Sequence, residues 1–272
     1  MGGLCFIFSL LLALNSAAQT VSGLSSPGWL NASDPDGRKI SVFAALNDIG
    51  SLGECRSFSA AVAAERRIID LDLQYVYGSI TLPFSNAGLG VSLSYASLDA
   101  WKQSKLGLAY GRKLASGLSL AIQLNYHRIT IGGYGAAGAL TPAIGMTFHV
   151  AAKTVFRVFA DNPYGGNLGK SREKIGSHFT SMLSQEFSEK LVLAARISRE
   201  ENAGTDVSLV LNYAMQARLQ LDGGISLNKA NGFAGTSVSF RQVRLRQILS
   251  WSQVLGFGTA IIFEFRKPVK DE

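Results

Sequence analysis

The sequence has little charge, little proline, and very little cysteine or histidine. Charged residues make up 17% of the 272 residues and hydrophobic residues 47%. Soluble domains are usually about 25% charged. There are 6 prolines, 2 cysteines and 3 histidines, against 29 glycines. This balance predicts that a large part of the surface does not face water.

Several functional classes lack the residues that they require. The formal net charge is +7, but the basic residues are scattered and form no patch with interleaved aromatics, so we expect no nucleic-acid binding. Beyond the first residues there is no apolar run of about 18 residues, the length of a membrane-spanning helix. Cys55 has only Cys5 as a second cysteine. We expect Cys5 to be removed with an export signal, which leaves Cys55 unable to form an internal disulfide.

The first twenty residues, "MGGLCFIFSLLLALNSAAQT", resemble an export signal. An apolar run at 4–14 is followed by small or polar residues, which predicts cleavage after Ala18. The segment before the run has no Lys or Arg, unlike most signals. The alternative is a buried N-terminal strand. We expect a signal peptide at 1–18.

A strict alternation of apolar and polar residues follows in most of the chain. In "GLSLAIQLNYHRIT" (117–130), one phase holds Leu118, Leu120, Ile122, Leu124 and Tyr126, and the other holds Ser119, Ala121, Gln123, Asn125 and His127. The same pattern recurs near 69–77, 89–95, 106–110, 207–213, 218–228 and 259–266. A period of two predicts strands with two chemically different faces.

Short and longer links alternate between these strands. The shorter links are near 84–88, 115–117, 151–153, 188–190, 215–217 and 242; the longer ones are at 98–105, 132–140, 163–176, 200–204, 229–232 and 253–256. Outer-membrane barrels have short periplasmic turns and longer extracellular loops. Thirteen strands can be assigned from 68 to 266, and an even number requires one more, at 57–66 or 39–46. We therefore predict an all-β, transmembrane, antiparallel up-and-down barrel of about 14 strands, with 12 as the fallback.

The composition of the two faces indicates what each face contacts. The polar phase is rich in small, uncharged residues, which suits an enclosed lumen better than the charged exterior of a soluble sandwich. A secreted soluble β protein remains the alternative. Tyrosines at or near strand ends are typical of the aromatic girdles at membrane interfaces. We expect this role for Tyr75, Tyr95, Tyr110, Tyr126 and Tyr213, and we also place Tyr77 on the lipid face.

The alternation also selects polar residues that would face the lumen. These candidates are Gln123, Asn125, His127, Arg157, Arg196, Arg218, Asp222, Arg244, Arg246 and Glu264. We expect the charged members to pair and fill a narrow barrel. The alternative is that they select permeant ions or hold a plug. Arg241 and Arg244 near the periplasmic rim are also candidates for contacts with partner proteins or lipid headgroups.

Catalytic and metal-binding motifs are missing. His127, His149 and His178 lie on three different strands without the fixed spacing that a metal site needs. No G-x-S-x-G motif is present, and "GGYGAAG" lacks the Lys and Ser/Thr of a phosphate-binding loop. We expect no enzyme activity, no cofactor and no metal.

From about residue 141 the sequence resembles the PorV/PorQ-like outer-membrane barrels, within the broader FadL-type group of long-chain fatty-acid transporters. The resembling stretches are "TPAIGMTFHVAAKTVFRVFADNPYGGNLG", "LVLAARISREENAGTDVSLVLNYAMQARLQLDGGIS" and "WSQVLGFGTAIIFEFR". In that family one strand opens with Pro and Gly and the following strand ends in an Asn-Pro pair. Pro142, Gly145, Asn162 and Pro163 resemble these positions. The N-terminal region differs from the family pattern, since 44–65 is at best an eroded version of the segment that forms a plug in FadL-type barrels.

This resemblance implies one of two roles. PorV-like members imply an accessory or scaffold part in a type IX secretion-like complex, with other envelope proteins as partners. FadL-like members imply uptake of hydrophobic small molecules. We expect the first role, in the outer membrane of a Gram-negative bacterium and in contact with its lipid. The expected organisation is a signal peptide at 1–18, an N-terminal segment with a candidate plug and first strand at 19–66, a barrel at 67–266 and a tail at 267–272.

Overall fold

The computed structural model contains a closed barrel of fourteen antiparallel strands in sequential order. It describes residues 20–21, 27–31, 40–68, 73–166, 168–169, 174–201, 203–253 and 256–267. The predicted signal peptide and most of the predicted tail lie outside these residues. The prediction of an all-β up-and-down barrel with fourteen strands is confirmed.

The strands follow one another along the chain, and most of their connections are short. The first seven are β1 (Ser59–Ile68), β2 (Leu73–Phe84), β3 (Ala87–Leu98), β4 (Trp101–Ala115), β5 (Leu118–Ile131), β6 (Gly135–Ala151) and β7 (Thr154–Asp161). The remaining seven are β8 (His178–Ser188), β9 (Leu191–Glu200), β10 (Gly204–Ala214), β11 (Leu219–Ser226), β12 (Asn231–Phe240), β13 (Val243–Ser252) and β14 (Gly256–Arg266).

The barrel closes between its first and last strands. Antiparallel β1 and β14 pair from Ser59 opposite Arg266 to Arg66 opposite Thr259. Of the two candidates for the first strand, the stretch at 57–66 is the one that forms it. Closure gives every strand two hydrogen-bonded neighbours, so the sheet has no open edge to aggregate or to leave unsatisfied in lipid.

Each strand presents one face outward and the other to the lumen. On β5, Ile122 is 65% exposed and Leu124 is 54% exposed, whereas Gln123 and Asn125 between them are buried. The same phase holds on the neighbouring strands, where Leu108 and Ile144 point outward. The outer surface is therefore a broad apolar band, as a barrel that spans a bilayer requires.

Strand β2 has the opposite phase from the expected one. Tyr75 and Tyr77 face the lumen, where their rings stack at 6.1 Å and Tyr77 is fully buried. The expectation that Tyr75 and Tyr77 face lipid is wrong, because Trp29 and Arg67 inside the barrel provide partners for both rings. Tyr95, Tyr110, Tyr126 and Tyr213 are on the outer face, with side chains exposed or half-buried.

The two ends of the barrel differ in the length of one connector. We call the end with connectors 85–86, 116–117, 152–153, 189–190, 215–218 and 241–242 the turn end, and the opposite end the loop end. At the loop end only the connector 162–177 is long. The longer links predicted at 98–105 and 132–140 are wrong, because the hydrogen-bonded ladders of β4 and β6 already begin at Trp101 and Gly135. The links predicted at 200–204, 229–232 and 253–256 correspond to connectors of three or four residues.

The lumen is filled by the chain that precedes β1. This filling includes a 3-10 turn at Gly28–Asn31, the one-turn helix α1 (Ala44–Asn47) and a 3-10 helix at Ile49–Glu54. We call residues 27–31 and 40–58 the plug. Although its sequence resembles the family's plug segment only in eroded form, this part of the chain lies inside the barrel. In the described part of the chain, no helix is long and apolar enough to cross a membrane.

The loop 162–177 covers part of the loop end. Leu168 and Ile175 are buried against Ile129 on the inner face of β5. Two further residues, Thr20–Val21, pair in parallel with Lys174–Ile175 of this loop. The chain ahead of the barrel therefore reaches both ends of the lumen, since Ile40 accepts a hydrogen bond from Arg266 at the turn end.

The outward phase of β5 gives a first prediction. If the outer band faces lipid, Ile122→Arg near the middle of the strand should destabilise the barrel in lipid vesicles by about 2–4 kcal/mol. Ile131→Arg, at the end of the same strand, is the matched control and should cost about 0–1 kcal/mol. Denaturant unfolding followed by tryptophan fluorescence measures both. Equal, negligible costs would show that the outer face is in water.

Candidate functional site

The plug rests in a cradle of small residues on the inner wall. The 3-10 helix at Ile49–Glu54 lies against β3–β6, where the wall residues beneath it are glycine or alanine. A Cβ at Gly145 would lie 2.5 Å from the Ile49 side chain, and one at Gly111 would lie 2.7 Å from Leu52. Ala109, Ala121 and Ala143 complete this apolar contact. The backbone of the plug therefore approaches the wall more closely than any larger residue would permit.

Polar contacts hold the plug on the same side of the barrel. The Asp48 carboxylate pairs with Arg157 of β7 at 3.0 Å, and the Gln123 amide donates to the Ala45 carbonyl at 3.0 Å. Near the turn end, Glu54 contacts His149 at 2.8 Å. These contacts fix both ends of the segment from α1 to the 3-10 helix.

Above the plug, β4–β7 carry a buried polar network. Lys105 of β4 forms an ion pair with Asp161 at the end of β7. The same carboxylate accepts a hydrogen bond from Asn125 at 2.9 Å, and His127 contacts the Thr141 hydroxyl at 2.9 Å. Buried charges of this kind are stable only when they are paired. The network stabilises the wall next to the loop 162–177.

A second ionic cluster joins the opposite wall to the plug. Arg246 of β13 is fully buried and lies 3.2 Å from Asp222 and 3.4 Å from Glu264. Its guanidinium also contacts the Trp29 carbonyl of the plug at 3.5 Å. Arg244 lies 3.6 Å from the same Glu264. The cluster neutralises two carboxylates and connects Trp29 to the wall of the lumen.

An internal cavity opens beside Trp29 at the loop end. This loop-end pocket has a volume of about 260 Å³ and lies on the side of the barrel formed by β8–β14 and β1. Its apolar walls include Trp29, Val210 and Phe233, and its polar walls include charged groups of both signs. Phe233 fits here because Gly224 opposite has no side chain; a Cβ there would lie 2.4 Å from the ring.

One edge of the pocket is an ordered charged pair with aromatic partners. Arg67 of β1 donates to Glu65 at 3.1 Å and places its guanidinium 3.9 Å from the centre of the Tyr75 ring. This geometry is a cation–π contact. It fixes the side chain of Arg67 at the mouth of the pocket.

A strip of apolar side chains continues from the pocket toward the turn end. The plug contributes Trp29, Leu30, Val42 and Phe43 to it. The wall contributes Ala61, Ala63, Ala194, Val210, Phe233, Ile248, Ala260 and Ile262. The lumen therefore has two unlike sides. One consists of small and polar residues against the 3-10 helix; the other begins at an open cavity and consists of larger apolar residues with the Arg246 cluster among them.

The structure places most of the predicted lumen residues inside. Gln123, Asn125, His127, Asp222, Arg246 and Glu264 are buried, and Arg157, Arg196 and Arg244 are half-buried on the same face. Arg218 differs, because it lies in the connector 215–218 before β11 begins and is exposed. Sequence reasoning missed Trp29, Glu65, Arg67 and Asp48. Of these, only Glu65 and Arg67 could have been found from the sequence, because they are opposite charges two residues apart on one strand.

Metal and thiol chemistry have little basis in the described part of the chain. No three His, Cys, Asp or Glu side chains are grouped there as a metal ion would need. Cys55 is buried in the plug and donates to the Ser57 carbonyl. Burial raises the pKa of its thiol, which lowers its reactivity.

The barrel resembles solved hydrocarbon channels. The Pseudomonas putida toluene transporter TodX superposes with a TM-score of 0.65 at 10% identity, covering 91% of this chain and 98% of that one. The Ralstonia pickettii toluene transporter TbuX gives 0.63 at 9%, covering 83% and 93%. The monoaromatic hydrocarbon channel CymD gives 0.59 at 10%, covering 86% and 93%. At this identity the likeness shows the fold alone. No protein-family model matches the sequence, and no curated protein does.

These neighbours correct the expected role. In fold, these neighbours agree with the FadL-type part of the resemblance, and they do not support the PorV/PorQ-like assignment. The expectation of a PorV-type scaffold role in a type IX secretion-like complex is wrong, since the matching structures are hydrocarbon channels. At this coarse level the neighbours are channels and transporters rather than enzymes.

The cradle gives a prediction about the plug. In Gly145→Ala the new methyl group would overlap the Ile49 side chain and the Gly50 backbone. We expect a loss of about 1–3 kcal/mol of stability and faster hydrogen exchange in residues 44–54. Gly78→Ala is the matched control, because the nearest atom to a Cβ there is 3.8 Å away. Unchanged exchange in Gly145→Ala would contradict the close seating of the plug.

Asp48 gives a prediction about pH. Burial raises the pKa of its carboxyl from 3.8 to about 6, although Arg157 and the Ser51 hydroxyl favour the charged form and Glu54 adds a smaller rise. Between these values the folded chain binds a proton that the unfolded chain has lost. Stability from this group is therefore lost as the pH rises from about 4 to 6, by up to about 3 kcal/mol.

The unfolding free energy measured across this pH range tests the assignment. In Asp48→Asn the side chain cannot ionise, so the part of the pH dependence that comes from this group should disappear. An identical pH profile in the wild type and in Asp48→Asn would show that the carboxyl is not perturbed.

Proposed function

We propose that this protein is an outer-membrane channel for small hydrophobic molecules. The apolar outer band would contact membrane lipid, the loop end would face the cell exterior and the turn end the periplasm. Residues 1–18 would direct export and be removed. The closed barrel with its alternating faces supports this location.

The loop-end pocket is the observation that carries the proposal. A dry cavity of about 150 Å³ is large enough to bind benzene, and the pocket here has a volume of about 260 Å³. It can therefore hold a single substituted aromatic ring or a short alkyl chain. Trp29 and Phe233 offer aromatic faces to such a ring. The solved neighbours named as toluene transporters and as a monoaromatic hydrocarbon channel support the same class of cargo.

The charges around the pocket favour a neutral cargo. In the described part of its lining there are three carboxylates, Glu65, Glu200 and Asp206, and three basic groups, Arg67, Arg196 and Lys229. Glu65 and Arg67 are paired with each other. A balanced rim leaves little net field to attract an ion of either sign, whereas the apolar walls gain free energy by excluding water.

We further propose that the lumen-facing charges hold the plug rather than select ions. The pairing of Arg157 with Asp48 and the contact of Arg246 with the Trp29 carbonyl support this role. The plug is then the gate: cargo in the pocket must pass Trp29 and Phe43 to reach the turn end. The apolar strip marks the side on which the cargo would pass.

Uptake of radiolabelled toluene into cells that express the protein, compared with cells that carry an empty vector, tests the function. Val210→Trp should reduce uptake at least about tenfold, because the indole fills the pocket. Leu211→Trp is the matched control, since the neighbouring residue points outward, and it should transport like the wild type.

Folding of both variants is checked by heat-modifiable mobility on gels. Uptake no faster than with the empty vector would overturn the channel function. Equal uptake by folded Val210→Trp and by the wild type would show that cargo does not use this pocket.

A further inference from the structure

The turn end contains a second and larger cavity. We call it the turn-end vestibule; it has a volume of about 830 Å³. The plug forms its floor through Ile40, Val42 and Gly53, and the short turns form its rim. It lies on the far side of the plug from the loop-end pocket, so it is a separate site.

The vestibule is strongly basic. Its lining includes six cationic side chains: Arg56, Lys113, Arg241, Arg244, Arg266 and Lys267. Among the residues that the structure describes, two carboxylates line it, Glu54 and Glu264. This contrasts with the loop-end pocket, where acidic and basic groups balance.

Both carboxylates are already engaged within the protein. Glu54 contacts His149 at 2.8 Å, and Glu264 lies 3.4 Å from Arg246 and 3.6 Å from Arg244. Glu264 offsets part of the charge of Arg244, and two carboxylates against six cationic side chains leave an excess of positive charge among the described lining residues. A positive potential remains in a partly enclosed space, where low-dielectric walls focus the field.

The basic groups are distributed around the mouth rather than gathered in one corner. Arg56 belongs to the plug, Lys113 lies near the end of β4, Arg241 lies in the turn between β12 and β13, and Lys267 follows β14. Strands β1–β3 separate β4 from β14 in the ring. A small anion could contact only one part of this arrangement, whereas a chain with several carboxylates could contact most of it.

Arg241 occupies a position that normally favours another residue. It has a φ of 52° in a two-residue turn, where Asn, Asp or Gly is preferred. A bulky residue in this region costs about 1 kcal/mol or more. Arg241 therefore places a positive charge on the rim even though its backbone conformation costs free energy.

The position of these groups also decides between kinds of anionic partner. The lining residues surround the opening of the lumen, whereas lipid headgroups surround the outside of the barrel. We propose that the turn-end vestibule is a docking surface for an acidic segment of a soluble protein, which enters the mouth and contacts the plug. This inference goes beyond the channel function, because it does not depend on which cargo is carried.

A labelled peptide tests the docking surface directly. Fluorescein-labelled hexaglutamate should bind the detergent-solubilised full chain, with an affinity that falls as salt is added. Arg241→Glu/Lys267→Glu should weaken binding at least about tenfold. Lys102→Glu/Arg128→Glu, which makes the same charge change at exposed positions near the loop end, should bind like the wild type. Fluorescence anisotropy measures each affinity.

Other outcomes would overturn the proposal. These are binding of labelled hexalysine as tight as that of hexaglutamate, equal loss in both double variants, or displacement by inorganic phosphate at the same concentration as by unlabelled hexaglutamate. The last result would indicate a small-anion site. Vesicles with phosphatidylglycerol that compete as well as hexaglutamate would assign the groups to lipid. Because binding is measured without cargo, a failed uptake experiment leaves this test unaffected.

Discussion

Closure of the sheet is the constraint on which the rest of the structure depends. Fourteen strands joined from β1 to β14 leave no edge, and they enclose a space too wide for the wall side chains alone to fill. Every strand then has one face outside the barrel and one face in the lumen. The outer face is apolar, and the inner face must match whatever occupies the lumen. The alternation at 117–130 meets both requirements, because its even positions from 118 to 126 are apolar and point outward and the odd positions between them point into the lumen.

The occupant of the lumen explains the uneven chemistry of the inner wall. On β3–β6 the wall is reduced to glycine and alanine where the 3-10 helix approaches, and Asp48 and Glu54 are matched by Arg157 and His149 on neighbouring strands. On the other side, larger apolar residues such as Ile248 and Ile262 pack against Phe43 and its neighbours. The plug is thus held by charged pairs and close small-residue packing on one side. On the other side it is held by larger apolar residues and by the Arg246 contact with the Trp29 carbonyl.

The sequence predicted the architecture well and the interior poorly, for physical reasons. A period of two survives in any single sequence, so strand number and the outward face of β5 could be read directly. Alternation alone does not say which face is outside when aromatic residues have partners inside, as Tyr75 and Tyr77 do with Trp29 and Arg67. The plug has no period at all, because its conformation is determined by the wall that it contacts. Arg157 could be assigned to the lumen, but its partner Asp48 could not.

The unequal attachment of the plug limits how a channel of this design can open. Moving the 3-10 helix out of its cradle would leave the buried charge of Arg157 without Asp48, and breaking a buried pair in this way costs several kcal/mol. On the opposite side the plug makes apolar contacts and one 3.5 Å contact from Arg246 to the Trp29 carbonyl. If that contact breaks, Arg246 keeps Asp222 and Glu264 as its charged partners. A passage for cargo therefore opens at lower cost between Phe43 and the wall at Ile248 and Ile262 than beneath the helix. The loop-end pocket already lies on that side, so the cavity and the weaker contacts define one continuous side of the barrel.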